Sequence, residues 1–269
     1  MKPPKEHLRR FGPLFIVQHA ILLTCVLLLI VSGIPLKFPH EAWARWLVWL
    51  QGGMRSRAVI HHLAGQTLVL LGIFHFVYHV LIDRRVPLLR RAILIRPSDA
   101  VVFWHHLLYV LGRRKNLPPM GRYTWYEKFD YIGLMWGIGV MGATGMSMLY
   151  MDVALRWIPL SWLQVFWAAH SEEAMLATLF LLVIHMYHVH FNPEKFPMSL
   201  TWLNGKISRE EMEKYHPLEL EELERAAQQE AQRAAQEAVQ AAIGSAADAP
   251  ARGAAQPAVP LPAEEGDHA

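Results

Sequence analysis

Cysteine is almost absent from this sequence: Cys25 is the only one in 269 residues. That excludes an intrachain disulfide, and it excludes the cysteine motifs that hold zinc, iron–sulfur clusters or c-type haem. Cys25 sits inside an apolar run and reads as a small buried apolar residue. Charge is missing in a patterned way. No Asp, Glu, Lys or Arg falls between Arg10 and Lys37, Arg57 and Asp83, Asp130 and Asp152, or Glu173 and Glu194. Four such runs argue against a soluble globular chain. A hydrocarbon core of roughly 30 Å is crossed by about 20 helical residues, so the runs predict transmembrane helices at about 14–35, 58–82, 130–151 and 166–191. The N-terminal stretch MKPPKEHLRRFGPLF is basic and leads into an apolar run. That run is long and lacks a clear small-residue cleavage site, so it is read as a retained first helix. No internal repeat stands out.

Base is distributed unevenly. Lys2, Lys5, Arg9 and Arg10 precede the first helix, and the loop between helices 2 and 3 carries nine Lys or Arg from Arg84 to Arg122. The other two loops are poor in base. The positive-inside rule then places both termini in the cytoplasm. The net charge of +3 reflects that topology and requires no nucleic-acid partner. Two loop segments read as interfacial helices. EAWARWLVWL (41–50) spaces Trp43, Trp46 and Trp49 three apart, as an outer surface helix would. PSDAVVFWHHLLYVLG (97–112) has Ser98 as an expected N-cap and Gly112 as its end. Its His105 and His106 read as interfacial polar residues, with metal ligation as the alternative. Residues 218–243, rich in Ala, Glu and Gln, predict a solvated helix. The segment 244–269 is dominated by Ala, Pro and Gly and is expected to be disordered.

The fifteen histidines carry the chemistry. An ionisable residue inside a membrane helix is a functional hypothesis by default. On helix 2, His61, Gly65, Leu68, Gly72, His75 and His79 share one face. His61 and His75 stand roughly 21 Å apart along the axis, one near each surface. Helix 1 offers His19. Helix 4 offers His170 near its outer end and His185, His188 and His190 near its inner end. Histidines from three helices thus gather at two depths: His61 with His170, and His19 with His185, His75 close by. Two stacked bis-histidine sites are what two b haems require, and porphyrin suits the apolar space of a bundle. Gly65 and Gly72 read as clearance for a flat group. The alternatives are helix–helix hydrogen bonds or a proton relay. Zinc or copper fits less well, because such sites gather ligands at one point and bring Cys or carboxylate. His7, His40, His62, His79, His216 and His268 read as ordinary polar residues.

Four segments carry a resemblance: QHAILLTCVLLLIVSGIPLKFP (18–39), VIHHLAG (59–65), GRYTWYEKFDY (121–131) and IHMYHVHFNPEKFPMSLTWLNGKISREEMEKYHP (184–217). Through them residues 8–217 resemble the bacterial four-helix di-haem cytochrome b family. That family includes the gamma subunit of formate dehydrogenase and the b-type subunit of nickel–iron hydrogenase. The resemblance implies an all-α integral membrane bundle, residues 1–217, with two haem b. It places the axial ligands at His61 with His170 (outer haem) and His19 with His185 (inner haem). His170 and His185 are fifteen apart where fourteen is expected, which leaves room for a local bulge or for His188 as a rival ligand. His75 is a further ligand candidate. A quinone site (menaquinone or ubiquinone) falls on Tyr123, Thr124 and Glu127. For Glu127 the alternative is an ion pair with Lys128 or a loop arginine.

The function expected is that of a membrane subunit in a bacterial inner-membrane oxidoreductase. It would carry electrons between the quinone pool and a partner: an iron–sulfur protein, a hydrogenase or dehydrogenase, or a multihaem c cytochrome. Two other readings stand beside it. One is a transporter or proton relay using the intramembrane histidines; the other is a stand-alone quinol- or ferric-reductase-like enzyme.

Overall fold

A computed structural model describes residues 7–82, 92–193 and 195–247. Lys2, Lys5, Arg84, Arg85, Arg90, Arg91, His268 and the tail expected to be disordered beyond Ala247 lie outside the described residues. Helix dominates. The order is β1 (His7–Arg9), α1 (Pro13–Gly33), α2 (Ala42–Leu50), α3 (Gly53–Val77), α4 (Pro97–Val110), α5 (Trp125–Leu149), α6 (Met151–Ala154), α7 (Leu160–Phe180), α8 (Thr201–Asn204), β2 (Lys206–Ser208), α9 (Arg209–Tyr215) and α10 (Pro217–Ala247). A 3-10 turn, Ile34–Lys37, prolongs α1. π-helical turns prolong α3 (Tyr78–Ile82) and α7 (Leu181–His185, Tyr187–Phe191).

Four of these helices are long and apolar enough to cross a membrane: Pro13–Lys37, Gly53–Val77, Trp125–Leu149 and Leu160–Phe191. They start earlier than the charge-free runs suggested. α3 takes in Arg55 and Arg57, and α5 takes in Glu127, Lys128 and Asp130. The run of uncharged residues bounds the apolar layer, whereas the helix continues wherever charges find partners. Lys128 shows how: only 8% exposed, it donates to both carboxylate oxygens of Asp99 at 2.8 and 2.9 Å. That ion pair pins α4 to α5. Asp99 also accepts from the Arg96 backbone N–H at 2.7 Å. The N-cap of α4 is therefore Arg96, with Asp99 closing the turn, and the expected cap Ser98 lies inside the helix.

Within residues up to Leu220, α1 packs on α3, α3 on α5 and α5 on α7. The exposed surface of these helices is apolar: Leu70, Phe76, Trp136 and Val183 are all 60% exposed or more. A continuous apolar exterior of this size needs an apolar neighbour. Trp43, Trp46 and Trp49 on α2 also face outward.

One end of the helices carries a small polar cap. β1 pairs antiparallel with β2, Leu8 opposite Ile207. Ile207, Met212 and Leu220 form its core, with Leu8 against them. Gly205, at φ +69°, ends α8, and a Cβ there would sit 2.5 Å from the Phe11 carbonyl oxygen. Only glycine meets both demands. The Gly205 carbonyl accepts from Arg10 N and Phe11 N at 2.8 and 3.1 Å. This "arm end" holds β1, the start of α1, the start of α5 and residues 206–220. The opposite, "far" end holds α2 and α6. Residues from Glu221 form a separate unit: the remainder of α10, exposed, with an Arg225–Glu221 pair one turn apart at 3.2 Å. The helix is longer than the predicted 218–243 and includes Gly244 to Ala247.

Candidate metal centre

At the far end, α3 and α7 bring His61 and His170 together, ring centroids 6.3 Å apart at 66°. Each imidazole is held from behind by a hydroxyl on a neighbouring helix. Ser32 Oγ lies 2.9 Å from His61 Nδ1, and Thr144 Oγ1 lies 3.0 Å from His170 Nδ1. Both hydroxyls already donate to a carbonyl one turn back, Ser32 to Leu28 at 2.5 Å and Thr144 to Val140 at 2.7 Å. Their hydrogens are thus occupied, so each Nδ1–H is the donor and each Nε2 keeps its lone pair. That is the tautomer a metal ligand needs.

A glycine follows each hydroxyl. A Cβ on Gly33 would lie 3.1 Å from His61 Cε1, and one on Gly145 would lie 3.0 Å from His170 Cε1. Ser32-Gly33 and Thr144-Gly145 are therefore the same device on two helices: a hydroxyl to orient a ring and a bare Cα to admit it. Neither hydroxyl, nor Gly33, emerges from a search for histidines alone. The repeated hydroxyl–glycine pair, inside two uncharged runs, is the signal that marks them. The glycines expected to clear space do something else: Gly65 lies against Leu29, and Gly72 against Ile138, as helix packing contacts.

The dimensions fit a bis-imidazole iron. Two imidazoles on opposite sides of one iron stand about 6 Å apart between centroids, being two metal–nitrogen bonds of about 2 Å plus two ring radii.

At the arm end the arrangement is less complete. His185 Nδ1 is 3.3 Å from Asp130 Oδ2, a carboxylate–histidine pair of the kind that orients metal ligands. His19 packs against Trp202 and Phe15, ring centroids 5.6 and 6.1 Å away. It is close enough to His185 for a charge on either to act on the other. Among the described residues, His19 Nδ1 and Asp130 Oδ1 are buried without a hydrogen-bond partner. Buried polar atoms rarely stay so, and a group or water reaching His19 on α1 and Asp130 on α5 would satisfy them. The fifteen-residue step from His170 to His185 contains the π-helical turn Leu181–His185. A π turn takes up one extra residue and so corrects the facing of the residues beyond it.

The rival histidines are engaged elsewhere. His75 has Nδ1 2.8 Å from Gln18 Oε1 and Nε2 3.1 Å from the Tyr131 hydroxyl, so both ring nitrogens face protein partners. His79 lies 4.4 Å from it, ring to ring. His188 does not turn toward His170; it stacks flat on Tyr126, 4.1 Å away at 3°. His106 accepts from Trp125 Nε1 at 2.9 Å, and burial lowers its pKa. Among the described residues no group of three or more His, Cys, Asp or Glu converges on one point.

Tyr123, Thr124 and Glu127, the quinone candidates, form the start of α5. Thr124 is fully buried and is the N-cap: its hydroxyl accepts from Glu127 N at 3.2 Å, and Glu127 Oε2 accepts from Thr124 N at 2.7 Å. This is a capping box. The other Glu127 oxygen takes Arg10 at 3.4 Å, not Lys128 or a loop arginine. The Tyr123 ring sits beneath the guanidinium groups of Arg10 and Arg122. Arg10, almost wholly buried, also pairs with Glu219 at 2.9 Å, and Arg122 pairs with the other Glu219 oxygen. His216, expected to be an ordinary surface residue, is 3% exposed and donates from Nδ1 to the Gly121 carbonyl at 2.9 Å. Its pKa is lowered, burial being the main cause.

Compared with known proteins, the chain matches no family model and no curated protein.

Proposed function

We propose that this chain is the di-haem cytochrome b subunit of a quinone-linked membrane oxidoreductase. The observation that carries the reading is the far-end pair: His61 and His170 at iron-bridging separation, each locked in the ligating tautomer by its own hydroxyl. The four apolar helices cross the bacterial inner membrane with the arm end in the cytoplasm, on the side rich in Lys and Arg. His61 with His170, and His19 with His185, would each hold a haem, which would supply reversible one-electron chemistry.

The chain's own groups do the positioning. Ser32 and Thr144 fix the outer rings. Asp130 orients His185. The apolar helices exclude water. Tyr123 and Glu127 lie at the arm end, where they would hold a quinone, menaquinone or ubiquinone, beside the His19–His185 site. Thr124 contributes there only as the cap that sets the start of α5. The partner at the far end is an iron–sulfur protein, a hydrogenase or dehydrogenase subunit, or a multihaem c cytochrome. The test is haem stoichiometry of the purified chain by pyridine haemochrome, expected at two per chain and one after H61A or H170A.

A second reading, a proton relay, draws on the Gln18–His75–Tyr131 chain that links α1, α3 and α5. A purified chain without a reduced-haem absorption band supports that reading against the first.

A further inference from the structure

One turn before His61 on α3 sits Arg57, only 7% exposed. Its Nη1 donates to the Ser32 carbonyl at 2.9 Å, and its Nε is buried without a partner among the described residues. No carboxylate among the described residues pairs with it. A guanidinium stays charged under all ordinary conditions, so this is a permanent cation in an apolar setting. Uncompensated buried charge is costly and is kept where it acts on something. Arg57 is also linked to a ligand. The Ser32 that accepts from Arg57 through its carbonyl meets His61 Nδ1 through its hydroxyl.

The arm-end site has the opposite sign. His185 faces the Asp130 carboxylate, while the nearby cation Lys128 is already paired with Asp99. Two acidic side chains follow His170 on α7. Glu172 is paired with Lys37 at 2.6 Å, and the Glu173 carboxyl lies near Gly137, on the inward side of His170.

We propose that Arg57 is a fixed positive charge that raises the reduction potential of the group held by His61 and His170 above that of the group at His19 and His185. The inference rests on the haem reading above. Reduction adds one electron to the site. A neighbouring cation in a low-dielectric layer favours the reduced state, and a neighbouring carboxylate favours the oxidised one.

The test is a potentiometric titration of the full-length chain in detergent, followed by visible absorption, with haem content measured in parallel. Two resolved midpoints are expected, and H170A should remove the higher one. R57M should shift the higher component down by at least a factor of ten in its reduction equilibrium, 59 mV for a one-electron couple. The lower component should stay put. R57K should keep most of the wild-type value, which a purely structural role would not produce. D130N should raise the lower component. If R57M moves neither midpoint, or R57K matches R57M, the proposal fails while two haems per chain leave the site reading intact. If R57M loses its haem, the order in the wild type decides: loss of the lower component in H170A overturns the proposal. A haem-free wild type overturns the site reading, and this inference with it.

Discussion

Thr144→Val is the sharpest probe of the far-end pair. Valine keeps the shape of threonine and removes one oxygen. The Val140 carbonyl loses only an extra acceptance from Thr144, because a helix carbonyl already has its own donor. The ring of His170 loses the 3.0 Å contact at Nδ1 and is left with its hydrogen bond to the Met141 backbone. Losing one such hydrogen bond costs about 0.5–1.5 kcal/mol. Loss of an outer-shell partner typically weakens metal binding about 10–100-fold. The two figures meet at the lower end of that range, since a factor of ten is about 1.4 kcal/mol. The assay is haem transfer from the reduced, detergent-solubilised protein to excess apomyoglobin, followed at the Soret band. T144V should lose one haem about 10–100-fold faster and the other at the wild-type rate. Unchanged loss of both haems refutes the claim that the hydroxyl holds a ligand. Equal acceleration of both refutes the assignment of Thr144 to one site.

The same geometry sets other outcomes. G145A and G33A each place a methyl 3.0–3.1 Å from a ligand ring, so each should lower haem content at the far-end site in a pyridine haemochrome assay and leave the arm-end haem in place. R10M leaves Glu219 buried and deprives Glu127 of its cation; breaking such a network typically costs about 3–5 kcal/mol, read as a lower thermal midpoint. For His216 the folded pKa lies below its usual 6.5, so the unfolded state takes up a proton first. The stability it contributes is fully present above pH 6.5 and is lost as pH falls through the lowered folded value. Protection factors against hydrogen exchange in residues 206–220, corrected for the intrinsic exchange rate at each pH, should therefore fall between pH 7.5 and about 5.5, and H216N should flatten that dependence.

The long helices and the histidines were legible because the sequence states them directly: runs without charge, and imidazoles at helical spacing within them. The length of each helix was less legible. Arg57, Lys128 and Asp130 look like boundaries in one dimension, and become interior residues once Ser32, Asp99 and His185 are in reach. Ser32 and Thr144 are hidden for a related reason. A lone hydroxyl in an apolar helix usually bonds back to its own backbone, and both do; only the approach of a second helix gives each an imidazole as well. The glycine expectations fail because helix 2 alone does not reveal its neighbours. Gly65 and Gly72 meet aliphatic side chains of α1 and α5, whereas the ring contacts fall on Gly33 and Gly145 across the interfaces. The irregular spacing of His170 and His185 was visible, and its resolution, a π-helical turn, depends on backbone geometry that residue counting does not encode.

The central claim is that paired histidines from α1, α3 and α7 hold two haems. Its most direct test is the pyridine haemochrome stoichiometry of the purified full-length chain beside H61A and H170A. Two haems per wild-type chain and one in each variant is the expected result. A wild-type chain with no haem, or variants that keep two, contradicts it.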